Sequence, residues 1–534
     1  MPRLRKRVIV GSLVLPLLIG GFVVQEHATR DGARVFDQVL NLVSDRFVDT
    51  VDAGTLYEKA ARGVVEQLND PYSELFSPKQ MERFQTQSSG HYGGIGMLIE
   101  PQEDHISVVR VFPHTPAEAA GIQPGDRIIG IDSLSTRGWS SQQVSDTLIG
   151  PVGTQVTVRF SRPGVTQSIE HRFTRSEIHV PAVQFSLMID PKIGYVPVQT
   201  FNETAADEVE NAVEQLRKQG AKGIILDLRN NPGGILDQAL SMADFFLHDG
   251  QEIASVRGRQ GEPQRFVVHG SEHLTDVPLV VLVDGFSASA SEIVTGALQD
   301  HDRALVVGTT SFGKGLVQTV FPLEGGWALK LTTAKWYTPS GRSIQKEQKW
   351  HPSVTSDEQP QTPLQPDLPD SVEQDSVKKN RPAYKSDAGR VVYGGGGITP
   401  DLIVSEDTIT SAEQPFAKTI APKFPLVNSV ISDYALQLKG TVHPDFKVTP
   451  EWRDTLYQRL TKAGVTVDRK EYDAASRLVD QMLGQKVATI AFGDSTAFRR
   501  GIPEDVQLDR AIELLKKGQT QKDLFALAQV QRKQ

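Results

Sequence analysis

Apolar residues between Asp31 and about Ser88 return every three or four positions, first as Val35, Val39, Leu42, Val43 and Phe47 and again from Leu56 to Leu68. That spacing predicts helices with one apolar stripe. From Tyr92 to Arg162 the pattern shortens to β-type runs, Ile106 to Val111, Arg127 to Ile131 and Gln155 to Phe160, set around a small helix over Pro116 to Ala120. Turn residues separate these runs, so they form a compact module of about 85 residues. Further on, Ile193 to Val198, Gly223 to Leu228, Leu279 to Val283 and Ala304 to Val307 are short apolar runs, and helical segments Ala205 to Gln219, Leu236 to Leu247 and Ala290 to Leu298 lie between them. This alternation predicts an α/β layer of parallel strands.

Gln345 to about Lys385 is rich in Pro, Gln, Asp, Glu and Ser and poor in large apolar residues, which predicts a flexible insertion. After Tyr393-Gly394-Gly395-Gly396-Gly397 a short strand over Leu402 to Val404 is expected. From Pro425 onward the pattern is amphipathic helix, with Trp452, Leu456 and Leu460 and later Ala511, Leu514 and Leu515 on the apolar faces. No internal repeat is present in the pattern.

Composition narrows the function. The 534 residues, 39% hydrophobic and 23% charged, suffice for about three or four domains. A net charge of -8, with no basic block beyond the extreme N-terminus, argues against a nucleic-acid binder. The absence of cysteine excludes disulfides, thiol catalysis and cysteine-ligated metal, and it suits an oxidising compartment. Arg3, Arg5, Lys6 and Arg7 precede an uncharged stretch of 17 residues, Val8 to Val24, the layout of an export signal. No Ala-x-Ala site precedes Gln25-Glu26, so an uncleaved membrane anchor is expected, with a removed signal peptide as the alternative.

Three segments carry candidate chemistry: Asp227-Leu228-Arg229-Asn230-Asn231-Pro232-Gly233-Gly234, Ser287-Ala288-Ser289-Ala290-Ser291-Glu292, and Ser311-Phe312-Gly313-Lys314-Gly315-Leu316-Val317-Gln318. Each follows a predicted buried strand, and loops at the carboxyl ends of parallel strands share one crevice. Ser289 falls where a turn hands over to a helix, so the N–H of Ala290 and the positive helix end would face whatever Ser289 attacks. Gly233 and Gly234, lacking Cβ, would let a second N–H approach the same oxygen. A serine needs a base, and Lys314 between glycines could serve if it is kept neutral.

Plainer readings compete with this one. A Ser/Ala-rich helix start is commonly a cap and nothing more. Gly308 to Lys314 also fits the spacing of a phosphate-binding loop. Position 315 is glycine rather than Ser or Thr, however, and Val317 to Phe321 reads as strand where that loop needs a helix. His301 beside Asp300 invites a Ser-His-Asp triad. There is no His-Glu-x-x-His, and the twelve histidines show no ligand spacing, so neither metal nor cofactor is expected.

The three segments resemble the carboxyl-terminal processing, or tail-specific, protease family, whose S-A-S-A-S-E serine and F-G-K-G-x-V-Q lysine form a dyad. The resemblance implies Ser289 as nucleophile, Lys314 as general base and Gln318 as the side chain orienting it. It implies Asp300 as a supporting residue, and an oxyanion hole from Ala290 N–H with that of Gly233 or Gly234. The small module resembles a PDZ domain. Gly94, Ile95, Gly96 and Met97 match its carboxylate-binding loop, and Gly121-Ile122-Gln123-Pro124-Gly125-Asp126 a turn typical of it. Where many relatives carry an arginine, Thr147-Leu148-Ile149-Gly150-Pro151 carries Ile149.

The expected organisation is a signal or anchor (1–29), an N-terminal helical arm (30–88), a PDZ domain (89–178), and an α/β, crotonase-like serine protease core (179–348). A flexible insertion (349–390), a return to the core (391–406) and an extra C-terminal helical domain (407–534) follow. The resemblance implies an endopeptidase in a bacterial envelope, anchored in the inner membrane with its bulk in the periplasm, acting on protein or peptide substrates with free C-termini. It leaves room for self-association through the N-terminal helices or the C-terminal domain and for an adaptor protein. A scaffold that only holds protein tails is the alternative from another class, and the intact Ser289, Lys314 and Gln318 argue against it.

Overall fold

The computed structural model describes residues 31–102, 105–259, 261–270, 274–346, 381–405 and 409–531. The candidate anchor, Val8 to Val24, and most of the predicted insertion lie outside them. Among the described residues no helix is long and apolar enough to cross a membrane.

Two compact units are present. Among the described residues the first comprises 31–81 and 318–332. Its described part begins with a helix over 31–46 and a second over Ala53–Glu66, which Asp52 caps by accepting Thr55 N–H. Sequence patterning missed a short strand, Glu74–Phe76, which pairs antiparallel with residues 328–330. Arg62 fastens it by donating to the Leu75 carbonyl at 2.9 Å. Val35, Val39, Leu42 and Phe47 form the predicted apolar stripe, yet each remains more than half exposed.

The second unit holds the rest of the described chain. Its small β module is a sheet whose edge strand is Met97–Pro101, followed by Ile106–Val111, Arg127–Ile131, Gln155–Ser161 and Ile169–Thr174. Ile106, Val108, Ile128, Ile131, Val156, Val158 and Phe160 fill its core against Val144 and Leu148 of the helix Ser141–Leu148. The inward residues alternate along Ile106–Val111 and Gln155–Ser161, as a sheet with one buried face requires, while a register shift between Ile128 and Gly130 brings Ile131 inward as well.

The central sheet has six strands in the order β1 (Leu187–Asp190), β2 (Ile193–Pro197), β3 (Gly223–Asp227), β4 (Leu279–Val283), β5 (Leu305–Gly308) and β6 (Leu402–Ile403). β1 is antiparallel to β2, and all later pairs are parallel. Helices α1 (Ala205–Lys218), α2 (Leu236–Phe246) and α3 (Ala290–Asp300) cover one face, where Val196, Ile224, Leu226, Val281 and Val306 pack. The opposite face, with Tyr195, Ile225, Val280, Leu282 and Val307, is covered by helices Val506–Lys517 and Gln521–Gln531 through Leu508, Ala511, Leu514, Leu515 and Leu524.

The C-terminal region therefore divides, although its helical pattern reads as one domain. Helices between 414 and 492 enclose their own core, with Phe416, Ile431, Leu456, Leu460, Tyr472 and Leu483 buried in it. The last helices belong to the α/β core. The physical reason is that continuous apolar strands such as Leu279–Val283 have two hydrophobic faces, and three crossover helices hide only one. The expected insertion is also shorter at both ends. Ala383–Lys385 pairs with Val391–Tyr393 in a hairpin, and Lys346 N–H donates to the Gly313 carbonyl at 2.9 Å.

Candidate functional site

The carboxyl ends of β3, β4 and β5 deliver the three candidate segments to one edge of the central sheet, as parallel strands in adjacent positions must. Backbone and side-chain hydrogen bonds then stitch the loops together. Ala288 N–H and Ser291 Oγ both donate to the Asn231 carbonyl at 3.0 Å, and Ser287 Oγ donates to the Leu228 carbonyl at 2.8 Å. Phe312 N–H donates to the Ser287 carbonyl at 3.0 Å, joining the lysine loop to the serine turn.

Ser289 stands at the first turn of α3 with φ 53° and ψ -112°, a left-handed conformation for a residue that carries a side chain. Such positions cost of order 1–3 kcal/mol and persist where surrounding structure holds them. What holds this one is Glu292, wholly buried one turn into the helix. Its Oε2 accepts Ser289 N–H at 2.9 Å and Lys314 N–H at 2.9 Å. Its Oε1 accepts Gly313 N–H at 2.7 Å and Ser311 Oγ at 2.5 Å. One carboxylate oxygen shared by Ser289 and Lys314 keeps their backbone nitrogens within roughly 6 Å, twice a hydrogen-bond length.

Burial pushes the Glu292 carboxyl up to about 7, against the lowering effect of the hydrogen bonds from Ser311, Lys314, Gly313 and Ser289. Desolvation is the largest of these opposing effects. Lys314 is further fixed through its backbone: Trp336 Nε1 donates to its carbonyl at 3.1 Å, and Gly315 N–H donates to Gln345 Oε1 at 2.9 Å. Gly313 has φ 92°, and a Cβ there would meet Lys346 Cβ at 2.8 Å and Gly397 N at 3.0 Å, so glycine is required. The loop runs directly into a strand, Leu316–Pro322, which disposes of the phosphate-loop reading of Gly308 to Lys314.

In the turn after β3, Asn231 Oδ1 accepts Gly233 N–H at 2.9 Å, while Asn231 Nδ2 donates to the Val198 carbonyl at 2.8 Å. Gly233 lies against Ser289: a Cβ at Gly233 would sit 2.9 Å from Ser289 Cβ and from Ala290 N. Asp284, at the end of β4, accepts Asn230 N–H on both oxygens at 3.1 and 3.0 Å. Burial raises its pKa, opposed by these bonds and those from Phe286 and Ser287.

Of the remaining expected residues, Asp300 and His301 lie away from these loops. Gln318 lies on Leu316–Pro322 in the first unit, where its amide donates to Thr332 Oγ1 at 3.2 Å. Asp300 closes α3 at the end opposite Ser289, roughly 16 Å along the axis at 1.5 Å per residue. There its Oδ1 accepts Arg342 Nη2 at 2.7 Å and its Oδ2 accepts Ser340 N–H at 3.0 Å, both partners of the ion pair being buried. His301 is at that same far end, with Nδ1 2.7 Å from Asp387 Oδ2 and Nε2 2.7 Å from the Glu252 carbonyl. It cannot stand beside Ser289 in a triad. In the small module, Ile95 and Met97 are buried, Gly96 has φ 87°, and the carbonyls of Ile95 and Gly96 accept Ala117 and Phe112 N–H at 2.8 and 3.0 Å. Among the described residues Met97–Pro101 pairs on one side only, leaving an open strand edge.

Sequence reasoning did not single out Glu292, Asn231, Asp284 or Ser311. The Ser289-x-x-Glu292 spacing carries the signal of a capping box, which marks a helix start but does not announce a buried carboxylate reaching a second loop. No group of acidic or histidine side chains among the described residues is arranged to hold a metal ion.

Comparison with known proteins gives these loops a family. Residues 192–358 match the profile of peptidase family S41, residues 107–162 a PDZ domain, and residues 23–79 the N-terminal domain of the activating protease CtpB. A carboxy-terminal-processing protease of Bartonella bacilliformis is 39% identical over 315 residues, covering 58% of this chain and 72% of that protein. The carboxy-terminal processing protease CtpA of Bacillus subtilis is 34% identical over 343 residues, covering 64% and 73%. The structure of a photosystem II D1 C-terminal processing protease aligns over 57% of this chain and 82% of its own, with 30% identity and a TM-score of 0.35. With a PDZ module ahead of an α/β core and relatives of this identity and coverage, the chain belongs to the carboxy-terminal-processing proteases of peptidase family S41, which are serine-type peptidases.

Proposed function

We propose that this chain is an endopeptidase that cuts proteins near their carboxyl termini, with Ser289 as nucleophile and Lys314 as its base. The observation that carries this reading is the single buried carboxylate of Glu292, which accepts both Ser289 and Lys314 N–H at 2.9 Å and so pins the two loops to each other. Neutral Lys314 takes the Ser289 hydroxyl proton as Oγ attacks the scissile carbonyl carbon. The protonated lysine then returns it to the leaving amine, and water releases the acyl group by the same route. Ala290 N–H at the helix start is one oxyanion donor. Asn231 Oδ1 already accepts Gly233 N–H, which favours Gly234 as the second. Gln318, four residues beyond Lys314, is the proposed orienting side chain. Asp300 acts indirectly, by fixing Arg342 and the segment after it, whose Gln345 and Lys346 bond Gly315 and Gly313.

The open edge of Met97–Pro101, beside the Gly94-Ile95-Gly96-Met97 loop, is suited to an added peptide strand whose terminal carboxylate meets backbone N–H groups. The cationic start and Val8 to Val24 support an anchored protein of the bacterial envelope, facing the periplasm. The exposed stripe Val35, Val39, Leu42 and Phe47 supports self-association through the N-terminal helices.

On an unfolded protein substrate, Ser289→Ala should abolish turnover, and Lys314→Ala should lower kcat by roughly a thousandfold, within the span of general-base effects. Lys314→Arg should not restore it, because a guanidinium stays protonated. His301→Ala should keep most activity. Loss in His301→Ala with retention in Lys314→Ala would overturn the dyad.

The Glu292 carboxyl is held near pH 7 rather than its ordinary 4.5, so the folded state binds its proton more tightly than the unfolded chain does. Stability must then fall as pH rises through that window, by about 3 kcal/mol in all, and stay level above it. Urea unfolding of wild type and Glu292→Gln at pH 5 and pH 8 should show wild type losing ground to the variant at the higher pH. A difference that does not change with pH would sink this assignment.

Amidating the C-terminus of a tailed substrate should slow its cleavage about tenfold, the scale of lost charge-assisted hydrogen bonds, and equal rates would exclude carboxylate capture. Fractionation of cells should leave the mature chain with the membrane, whereas a soluble chain beginning near Gln25 would mean that the segment is removed.

A further inference from the structure

The turn from Leu228 to Gly234 departs from regular backbone at Asn230 (φ 57°), Gly233 (φ 95°) and Gly234 (φ 149°), and beyond an isolated bridge between Gly234 and Phe201 its shape depends on outside contacts. Besides the bonds from Ser287, Ala288 and Ser291 to its Leu228 and Asn231 carbonyls and from Phe201 N–H to its Gly233 carbonyl, three further ties hold it. Asp284 takes Asn230 N–H and Asn231 reaches the Val198 carbonyl, both ties made within the central sheet. The third comes from far along the chain. Arg229 donates through Nη1 to Asp505 Oδ1 at 2.9 Å and to Gln507 Oε1 at 3.1 Å, and through Nη2 to Asp505 Oδ2 at 2.7 Å.

The rest of the guanidinium faces Asp227 at the end of β3, with Nε at 3.0 Å from Oδ1 and Nη2 at 2.6 Å from Oδ2. Arg229 is thus clamped between a carboxylate of the strand that starts the turn and one from the C-terminal helices. Asp505 is itself fixed, since its Oδ1 caps Val506–Lys517 by accepting Leu508 N–H at 3.0 Å. Beside it, Gln507 is fully buried and donates to the Val404 carbonyl at 2.8 Å. A second tie runs in parallel: Tyr195 donates to Asp227 Oδ2 at 2.8 Å while its ring stacks on Phe498 at 4.4 Å.

We propose that Asp505 is a positioning residue for peptide-bond cleavage: its two-point grip on Arg229 fixes the Leu228 to Gly234 turn against Ser289. A planar fork between two carboxylates transmits orientation as well as attraction, which a lysine at 229 would not. The inference rests on the reading of Ser289 and its oxyanion donors given above. It adds that the last helical layer is part of the catalytic apparatus as well as of the core.

The test uses the full chain and a peptide-amide substrate, with Asp505→Asn, which keeps the helix cap, and Arg229→Lys, which keeps the charge. Each should lower kcat by roughly 10- to 100-fold, the scale seen when a supporting partner of a functional group is lost, with little change in KM. Affinity for a boronate-terminated peptide, which forms a tetrahedral adduct, should fall in step with kcat, while affinity for the amino-terminal product peptide holds. The double variant should be no slower than the slower single one. Leu514→Ala, which opens the same helical layer without touching Arg229, should lower the thermal midpoint and leave kcat at 25 °C unchanged. Wild-type kcat in Asp505→Asn, or an equal fall in kcat in Leu514→Ala, overturns the proposal. Turnover surviving in Ser289→Ala would instead overturn the reading of the site beneath it, so the two failures are told apart.

Discussion

The three loops at the edge of the central sheet depend on one carboxylate that has been taken out of water. Glu292 is kept in place by N–H and hydroxyl donors from Ser289, Ser311, Gly313 and Lys314. Burying a carboxylate is costly, and desolvation accordingly raises its pKa. The compensation is rigidity. An acceptor with two oxygens can organise a strained serine turn and a glycine-flanked lysine loop together, and losing any donor would leave part of the charge unmet. An apolar residue of the same size would pack better and organise nothing.

The second constraint is that the central strands are hydrophobic on both faces. Residues such as Ile224 and Leu226 face the crossover helices, while Ile225 between them faces the C-terminal layer. The family core is therefore incomplete until helices from beyond residue 494 have folded onto it. The Arg229–Asp505 contact places one of the polar ties of that layer at the edge where the three loops emerge. Packing of the far sheet face and geometry at the loops are in this way set by the same element.

Much of this could be read in the sequence, and the exceptions have physical causes. The parallel strands, the three crossover helices and the loops after Asp227, Val283 and Gly308 follow from apolar runs between turn residues, because a doubly buried strand has to be uniformly apolar. The strands Glu74–Phe76 and Ala383–Lys385 left no such trace, since each is only three residues long, too short to show a period. The division of the C-terminal helices was invisible because periodicity shows that a helix has an apolar face without saying what covers it. Among site residues, Ser289, Lys314, Gly233 and Gly234 stood out through local motif and turn chemistry. Glu292 and Asp505 work through partners 22 and 276 positions away, and distances of that kind are fixed only by the fold.

That distance has a counterpart in time. A ribosome adds about 5–20 residues per second, so roughly ten to forty seconds separate the emergence of Lys314 from that of Asp505. Throughout that interval the growing chain carries its serine and lysine without the helices that finish the sheet or the carboxylate that grips Arg229. A chain with this order of parts completes its central sheet last, and its nascent surroundings meet that sheet unfinished.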